Sequence, residues 1–308
     1  MSNAPYAPCH PAFAKHSQVI PLSGFSGAVV ALLRAKGGGR FVRKAAREPS
    51  VNEILRRQCG RQKMLSSILT EAVKVPAVLG EGEAAGLYYF DMAFVPSQDA
   101  ASFLSKAPFD EIVQFSHNIE DLISVFAKSK GFETTLAQPQ TTYLTWKFEE
   151  ISQRTSGRYD ACLLDLMEAS RQTSILPPMA TETASHGDLT FENILVASNR
   201  DLWLIDPIAS PVSHYWFDWS KLFQETEGRW HNHRGRPISL CVSWWLRNRW
   251  IASAMSESEE YLSRHYLLLG LTFARILPYA KSELDRLYLV ERITAYGKAA
   301  LRGVEKIR

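Results

Sequence analysis

Three polar residues at fixed intervals are the part of the sequence best suited to chemistry. Asp188 is followed by Asn193 five residues later and by Asp206 thirteen residues after that. A carboxylate can orient a hydroxyl group and accept its proton, and carboxylate and amide oxygens are ligands that Mg²⁺ prefers. Each aspartate also has an ordinary structural interpretation, because Asp before Leu-Thr is typical of a helix N-cap and Asp before Pro is typical of a turn.

The segment that carries these residues resembles a known catalytic loop. HGDLTFENIL (186–195), followed by LID (204–206), is similar to the catalytic loop and metal-binding aspartate of the protein-kinase-like superfamily. Its His-Gly-Asp opening resembles the aminoglycoside phosphotransferase and choline kinase branch of small-molecule kinases. The resemblance covers about residues 19–278 and implies an α+β, bilobal protein-kinase-like fold, with a small β-rich N-terminal lobe and a larger, mainly helical C-terminal lobe.

The resemblance implies a role for each polar residue of this segment. Asp188 becomes the catalytic carboxylate that orients the acceptor hydroxyl, while Asn193 and Asp206 become ligands of Mg²⁺. His186 is expected to be a structural residue beneath the loop. Asp218, in FDWSKL (217–222), is expected to support the loop, with a helix N-cap as the alternative.

The same family comparison implies a nucleotide site in the N-terminal part of the chain. A glycine-containing turn is expected between the first two strands, where its N–H groups could cover phosphates; its residues are Gly24, Phe25, Ser26 and Gly27. Lys44 on the third strand is expected to bind the α and β phosphates of ATP as a point charge. The neighbouring Arg43 should point to the other face of the strand.

Two further parts of the nucleotide site depend on the resemblance. The lysine needs a partner on the next helix, and Glu53 is favoured over Gln62, although it lies only nine residues after Lys44. With Gln62 in that position, the ion pair would become a neutral hydrogen bond. Backbone groups near Met92 and Phe94 are expected to read the adenine edge; a plain core strand is the alternative.

The elements that must position these residues follow from apolar patterning. The predicted N-terminal strands cover 19–22, 28–35, 40–46, 75–79 and 87–95, and helical spacing covers 51–69. Beyond Ser97, a candidate cap for a helix over 99–104, further helices are predicted over 111–127, 159–172, 239–254 and 259–277, with a β-rich island at 194–205. The predicted organisation is a leader (1–18), a nucleotide-binding lobe (19–95) and a catalytic and acceptor-binding lobe (96–308).

Composition excludes several classes of protein. Charged residues make up 22% and the net charge is only +3, which gives no reason to propose nucleic-acid binding. The four cysteines are scattered without a CxxC pair, and no apolar run reaches the roughly 18 residues of a membrane span. We therefore expect a cytoplasmic protein with reduced thiols and no signal peptide. The charge is uneven along the chain, however, and residues 34–63 form a basic band. This band is either a solvated surface or a cationic wall.

The sequence thus predicts an ATP- and Mg²⁺-dependent phosphotransferase that acts on a hydroxyl group of a small molecule, such as a sugar, an aminoglycoside-like compound or an amino alcohol. A degenerate pseudokinase acting as a binding module is the first alternative. A protein Ser/Thr kinase is the second, although Pro207 replaces Phe-Gly after Asp206 and no Ala-Pro-Glu follows. A membrane-surface carbohydrate kinase is the third, for which the basic band is the hint. The oligomeric state is left open.

Overall fold

The computed structural model describes residues 9–14, 16, 18–22, 27–35, 37–130, 140–173, 183–208 and 213–305. The chain divides into two compact units. The first comprises the chain up to Gln98 together with Asn193–Ala209, and the second comprises Asp99–Glu192 with Ser210–Arg308. The first unit is built around antiparallel sheet and the second around helices, so the predicted fold class is confirmed.

The described strands are β1 (Val19–Leu22), β2 (Ala28–Arg34), β3 (Arg40–Ala46), β4 (Val73–Lys74), β5 (Val78–Ala84), β6 (Leu87–Ala93), β7 (Ser97–Asp99), β8 (Ile194–Ala197) and β9 (Leu202–Leu204). The described helices are α1 (Asn52–Leu65), α2 (Ala100–Leu104), α3 (Phe109–Lys128), α4 (Gln140–Arg154), α5 (Asp160–Thr173), α6 (Tyr215–Thr226), α7 (Trp230–His233), α8 (Leu240–Glu257), α9 (Tyr261–Ala274) and α10 (Glu283–Glu305).

The larger sheet has the strand order β1-β2-β3-β6-β5, and all of its pairs are antiparallel. Because successive side chains of a strand alternate between faces, β3 presents Lys44 and Ala46 to one side and Ala45 to the other. Ala46 packs with Leu55 and Cys59 of α1, whereas Ala45 belongs to a separate apolar cluster on the opposite face. The sheet therefore has two buried faces, and Lys44 lies on the face that α1 covers.

The opposite face is covered by the N-terminal segment. Phe13 is only 1% exposed and belongs to the cluster that contains Ala31 and Ala45. His10 Nε2 lies 2.9 Å from the carbonyl oxygen of Ala46, which fixes the segment to the end of β3. Part of the stretch predicted as a leader thus contributes to the core of the first unit.

A smaller sheet has the order β4-β9-β8-β7. Its β8–β9 hairpin joins the first unit through parallel pairing of Val73 with Leu202, and the Leu202 N–H donates to Ala72 O at 2.9 Å. The predicted boundary near residue 96 placed this hairpin in the second unit. In the structure, the hairpin belongs to the first unit, because β9 pairs with β4, which lies more than 120 residues earlier in the chain.

The second unit is organised around α6, α8 and α9. Trp219 of α6 and Trp250 of α8 have no exposed surface, and the Ser220 hydroxyl lies 2.6 Å from that of Thr272 on α9. Gly270 of α9 allows close helix packing, because a Cβ there would lie 2.5 Å from a methyl carbon of Leu166. None of the described helices has both the length and the apolar character needed to cross a membrane.

Several predicted elements differ from those observed. The helix that starts at Ala100 is capped by the side chain of Asp99, which accepts the Ser102 N–H at 2.8 Å, and not by Ser97. The strand predicted over 75–79 is replaced by β4 and by β5, which begins at Val78. The helices α4, α6, α7 and α10 have no counterpart among the predicted helices. Because α6 begins at Tyr215 and is capped by His214, Asp218 lies inside this helix and is not its N-cap.

Candidate active site

Lys44 is held in the first unit by a long-range ion pair. Its side chain is 1% exposed, and its Nζ donates a hydrogen bond of 2.7 Å to Oδ1 of Asp206. A buried ammonium needs an anionic partner, because desolvation of an unpaired charge is costly. Asp206 supplies it from the residues that follow β9, in a left-handed backbone conformation with φ of 58°. The structure thus brings together two residues that the sequence analysis placed at the nucleotide.

Asn193 lies at the same end of the β8–β9 hairpin as Asp206. The register pairs Ile194 with Leu204, and the Ile205 N–H donates to the carbonyl oxygen of Asn193 at 3.0 Å. The side chain of Asp206 is 36% exposed, so its carboxylate remains accessible. One carboxylate and one amide at an accessible hairpin end fit the hard oxygen ligands of Mg²⁺, which usually completes its shell with phosphate oxygens and water.

The loop that contains Asp188 is anchored by a residue of α6. The carboxylate of Asp218 accepts the His186 N–H at 2.7 Å through Oδ2 and the Gly187 N–H at 2.8 Å through Oδ1. Asp218 is fully buried, and Gly187 has φ of 84°, which L-residues with a Cβ rarely adopt. These two hydrogen bonds are the contacts that a supporting role for Asp218 requires. The effect of Asp218 on catalysis stays a prediction.

Asp188 itself is surrounded by polar contacts in the second unit. Its N–H donates to His186 Nδ1 at 3.3 Å, which gives the buried His186 the structural position expected for it. Its Oδ1 lies 3.0 Å from Nζ of Lys221. Burial, the largest single influence, would raise the pKa of Asp188, but the ammonium of Lys221 together with smaller effects of His186 and Arg275 outweighs it, and the pKa is lower than that of an ordinary aspartate. The residue is therefore ionised at neutral pH.

Sequence reasoning did not assign a role to Lys221. The signal was present, because Lys221 follows Asp218 by three residues and side chains at that spacing lie on one face of a helix. The D-x-x-K-L pattern of this stretch includes Lys221, but a role was inferred only for its aspartate.

The predicted partner of Lys44 is wrong in this structure. Glu53 bonds to Arg57 at 3.0 Å, and its side chain is 66% exposed. At 100° per residue, Glu53 lies about 160° around α1 from Leu55, which faces the sheet. Gln62 lies on the buried face, but its amide donates to Pro76 O at 2.6 Å. The charge partner of Lys44 in the described residues is Asp206 and not a residue of α1.

The rest of the predicted nucleotide site is placed only in part. Gly24, Phe25 and Ser26 lie outside the described residues, whereas Gly27 is described and closely approaches Val51, whose methyl carbon would lie 3.3 Å from an added Cβ.

Met92 and Phe94 lie at the end of β6 that leads out of the larger sheet. Met92 is 5% exposed in the core beside α1, and Phe94 packs beneath the guanidinium of Arg40 at 4.4 Å. The N–H of the intervening Ala93 donates to Ala77 O at 2.9 Å. This amide is therefore already used within the first unit, and adenine binding near Met92 and Phe94 stays a prediction.

The basic band at 34–63 does not form a continuous cationic wall among its described residues. Five of its cations have carboxylate partners within the first unit, namely Arg43 with Asp91, Lys44 with Asp206, Arg56 with Glu83, Arg57 with Glu53 and Lys63 with Glu81. Half of the ten lysines and arginines of the band are therefore neutralised within the protein.

Comparison with known proteins shows the family of the chain. The family model of the phosphotransferase enzyme family, APH, matches residues 18–230, which is more than half of the chain. The protein belongs to this family, as the His-Gly-Asp resemblance predicted. Comparison with curated proteins gave no match.

Solved structures with the same fold cover almost the whole chain. An APH(2″) enzyme in complex with GDP and kanamycin has a TM-score of 0.62 at 14% identity, over 92% of this chain and 94% of that chain. A candidate fructosamine-3-kinase from Thermobifida fusca has a TM-score of 0.60 at 15% identity, over 98% and 99%. The amicoumacin kinase hAmiN, in complex with AMP-PNP, Ca²⁺ and Ami, has a TM-score of 0.62 at 11% identity, over 92% and 88%. These similarities establish the kinase-like fold.

Proposed function

We propose that the protein transfers the γ-phosphate of ATP to a hydroxyl group of a small molecule. The observation that carries the proposal is the state of Asp188, which is ionised, ion-paired through one oxygen and held on a loop that Asp218 anchors. Phosphoryl transfer depends mainly on positioning and electrostatics, so a fixed carboxylate beside the acceptor is the part of the machinery the protein must supply.

The proposed step transfers one phosphoryl group from ATP to the acceptor. The acceptor oxygen forms a bond to the γ-phosphorus, the bond from that phosphorus to the β–γ bridging oxygen breaks, and ADP leaves with the bonding electron pair. The hydroxyl proton passes to the carboxylate of Asp188, because a positioned carboxylate can act as a general base. Asp188 thus orients the nucleophile before the step and holds its proton afterwards.

The first unit supplies the groups suited to the nucleotide. Lys44 would bind the α and β phosphates, and Asn193 and Asp206 would hold Mg²⁺. When bound, this ion neutralises phosphate charge. The ammonium of Lys44 already lies 2.7 Å from Asp206, so the residue for phosphate and the residue for metal are preassembled. Gly24, Phe25, Ser26 and Gly27 would cover the phosphates, and the backbone near Met92 and Phe94 would bind adenine.

The acceptor is proposed to be a sugar, an aminoglycoside-like compound or an amino alcohol. The three structural neighbours are named for small molecules: one is in complex with kanamycin, one is a candidate fructosamine-3-kinase and one is an amicoumacin kinase. Pro207 after Asp206 and the lack of an Ala-Pro-Glu sequence favour this class over protein substrates. The four cysteines are free, which supports the proposed cytoplasmic location.

The alternative is a pseudokinase that binds a partner without turnover. It is favoured by one observation, namely that Glu53 does not reach Lys44 and no residue of α1 replaces it as an anion. Against it, Lys44 has a carboxylate partner in Asp206 and Asp188 remains ionised.

The deciding experiment is a screen of hydroxyl-bearing acceptors with ATP and Mg²⁺, in which a gain of one phosphoryl group is detected by mass spectrometry. We expect wild-type turnover and a loss of at least about 10³-fold in Asp188→Ala. Asp121→Ala, an exposed aspartate of α3, is the matched control and should behave as wild type. Nucleotide binding without turnover of any acceptor would favour the pseudokinase.

A further inference from the structure

Two residues of α6 contact the loop that carries Asp188. Asp218 accepts two backbone N–H groups of the loop, and Lys221, on the same face of α6, places its Nζ 3.0 Å from Oδ1 of Asp188. We infer that Lys221 is a positioning residue for phosphoryl transfer, which keeps the Asp188 carboxylate charged and fixes its orientation toward the acceptor. The contact between Lys221 and Asp188 is observed, whereas its effect on phosphoryl transfer rests on the proposed function.

Lys221 is itself held in place. Its side chain is 11% exposed, and its Nζ also donates to Oε1 of Gln224, one turn further along α6, at 3.4 Å. An ammonium restricted in this way loses little further freedom when it binds a carboxylate, unlike a lysine on an open surface. The pair therefore acts as a fixed part of the loop.

The segment that follows Asp188 contributes no cation to this pair. Between Asp188 and Asn193 the sequence is Leu-Thr-Phe-Glu, without lysine, arginine or histidine. In the part of the chain that the structure describes, the charged groups with the largest effects on the pKa of Asp188 are Lys221 of α6, His186 of the loop and Arg275 after α9. His186 Nδ1 accepts the Asp188 N–H and so carries no proton at that atom.

Lys221 is the strongest of these three influences. It exceeds His186 and Arg275 in its effect on the pKa of Asp188, and it opposes the increase that burial alone would cause. Without it, the carboxylate would take up a proton at a higher pH and would then be unable to accept one from the acceptor. The expected signature of the role is therefore a change in pH dependence and not only a loss of rate.

The test compares two substitutions that differ in charge. Lys221→Met keeps most of the aliphatic length and removes the charge, whereas Lys221→Arg keeps the charge. In the pH profile of kcat, we expect the acidic limb of Lys221→Met to move upward by about 1–3 pH units, since an adjacent opposite charge lowers a carboxyl pKa by that amount. Lys221→Arg should restore most of the wild-type profile.

A matched control is available in the same unit. Lys147 of α4 pairs with Glu150 and is 17% exposed, close to the exposure of Lys221. Lys147→Met should leave the acidic limb where it is in wild type. Circular dichroism and ATP binding establish that each variant is folded, and Lys221→Gln replaces Lys221→Met if the latter does not fold.

A second readout is independent of turnover. The ¹³C resonance of the Asp188 carboxyl, assigned by its loss in Asp188→Asn, reports the titration of this group directly. A higher midpoint in Lys221→Met supports the inference even when no acceptor is phosphorylated, in which case the proposed function fails alone. An unchanged midpoint and an unchanged acidic limb in folded Lys221→Met would overturn the inference.

Discussion

The carboxylate of Asp218 accepts the N–H of Gly187 at 2.8 Å, at a point where the Gly187 backbone has φ of 84°. A left-handed residue directs its N–H away from the regular path of the chain, and Asp218 satisfies both this group and the preceding His186 N–H. The residue before the candidate catalytic aspartate is thus fixed by a side chain 31 residues later in the sequence.

Asp218→Asn tests this anchor. An asparagine side chain can accept only through its one oxygen and presents an N–H₂ group to the other donor, so one buried N–H loses its partner. We expect a loss of about 2 kcal/mol in the free energy of unfolding and at least a tenfold decrease in kcat, with urea denaturation and steady-state kinetics as the measurements. Asp121→Asn on the exposed face of α3 is the control, and full activity in Asp218→Asn would contradict the anchoring role.

Asp206→Asn tests the proposed metal ligand. Removal of one anionic oxygen should weaken ATP binding at least about tenfold in excess Mg²⁺, with little effect in the presence of EDTA. Isothermal titration of ATP over a range of Mg²⁺ concentrations measures both. Asp201→Asn is the matched control, because Asp201 belongs to the same hairpin but pairs with Lys74 at 2.5 Å. Identical Mg²⁺ dependence in Asp206→Asn and wild type would exclude ligation by Asp206.

The candidate catalytic segment could be proposed from the sequence because the residues that define it lie within a short span. The spacing of Asp188, Asn193 and Asp206 and the position of Lys44 on a strand needed no knowledge of distant contacts. By contrast, the charge partner of Lys44 lies 162 residues away, and helical periodicity over 51–69 did not show that Glu53 faces solvent. Local sequence patterns indicate which side chains have suitable chemistry, whereas long-range packing determines which of these side chains are in contact.

The failure to predict α4 and α10 had a different cause. In α10, Leu289, Ile293 and Tyr296 are buried at a spacing of four and three residues, and α4 buries Phe148 and Ile151 in a similar way. This amphipathic signal was available, but both helices lie where the resemblance gave no guidance: α10 beyond its C-terminal limit and α4 between recognised motifs. The resemblance therefore helped to predict elements only in the segments that match the family's motifs.

His214 predicts a pH dependence of stability. It caps α6 by accepting the Trp216 N–H at 3.3 Å, and burial, with a smaller effect of Arg264, lowers its pKa to about 3. The unfolded chain takes up a proton near pH 6.5 that the folded protein does not bind, so stability decreases as the pH falls from about 6.5 toward 3. The loss attributable to His214 is about 2 kcal/mol between pH 7 and pH 5.

His214→Asn separates this titration from the capping role, since asparagine also caps helices well. Urea denaturation at pH 7, 6 and 5 should show a smaller loss of stability in the variant than in wild type. His117→Asn, at an exposed position of α3, is the control and should follow wild type. Parallel curves for His214→Asn and wild type would show that His214 does not carry the dependence.

The N-terminal segment is predicted to contribute to the stability of the first unit. Phe13 is 1% exposed and packs on the face of the larger sheet opposite Lys44, while Arg43, beside Lys44 on β3, donates to the carbonyl oxygen of Ala12 at 2.5 Å. Phe13→Ala should therefore lower the free energy of unfolding by about 3 kcal/mol, because it removes a buried ring and leaves a cavity. Phe109→Ala, at a site that is 56% exposed, should cost less than about 1 kcal/mol. Equal stability of the two variants in urea denaturation would show that residues 9–14 add nothing to the core, and the segment would then be a leader in the sense first predicted.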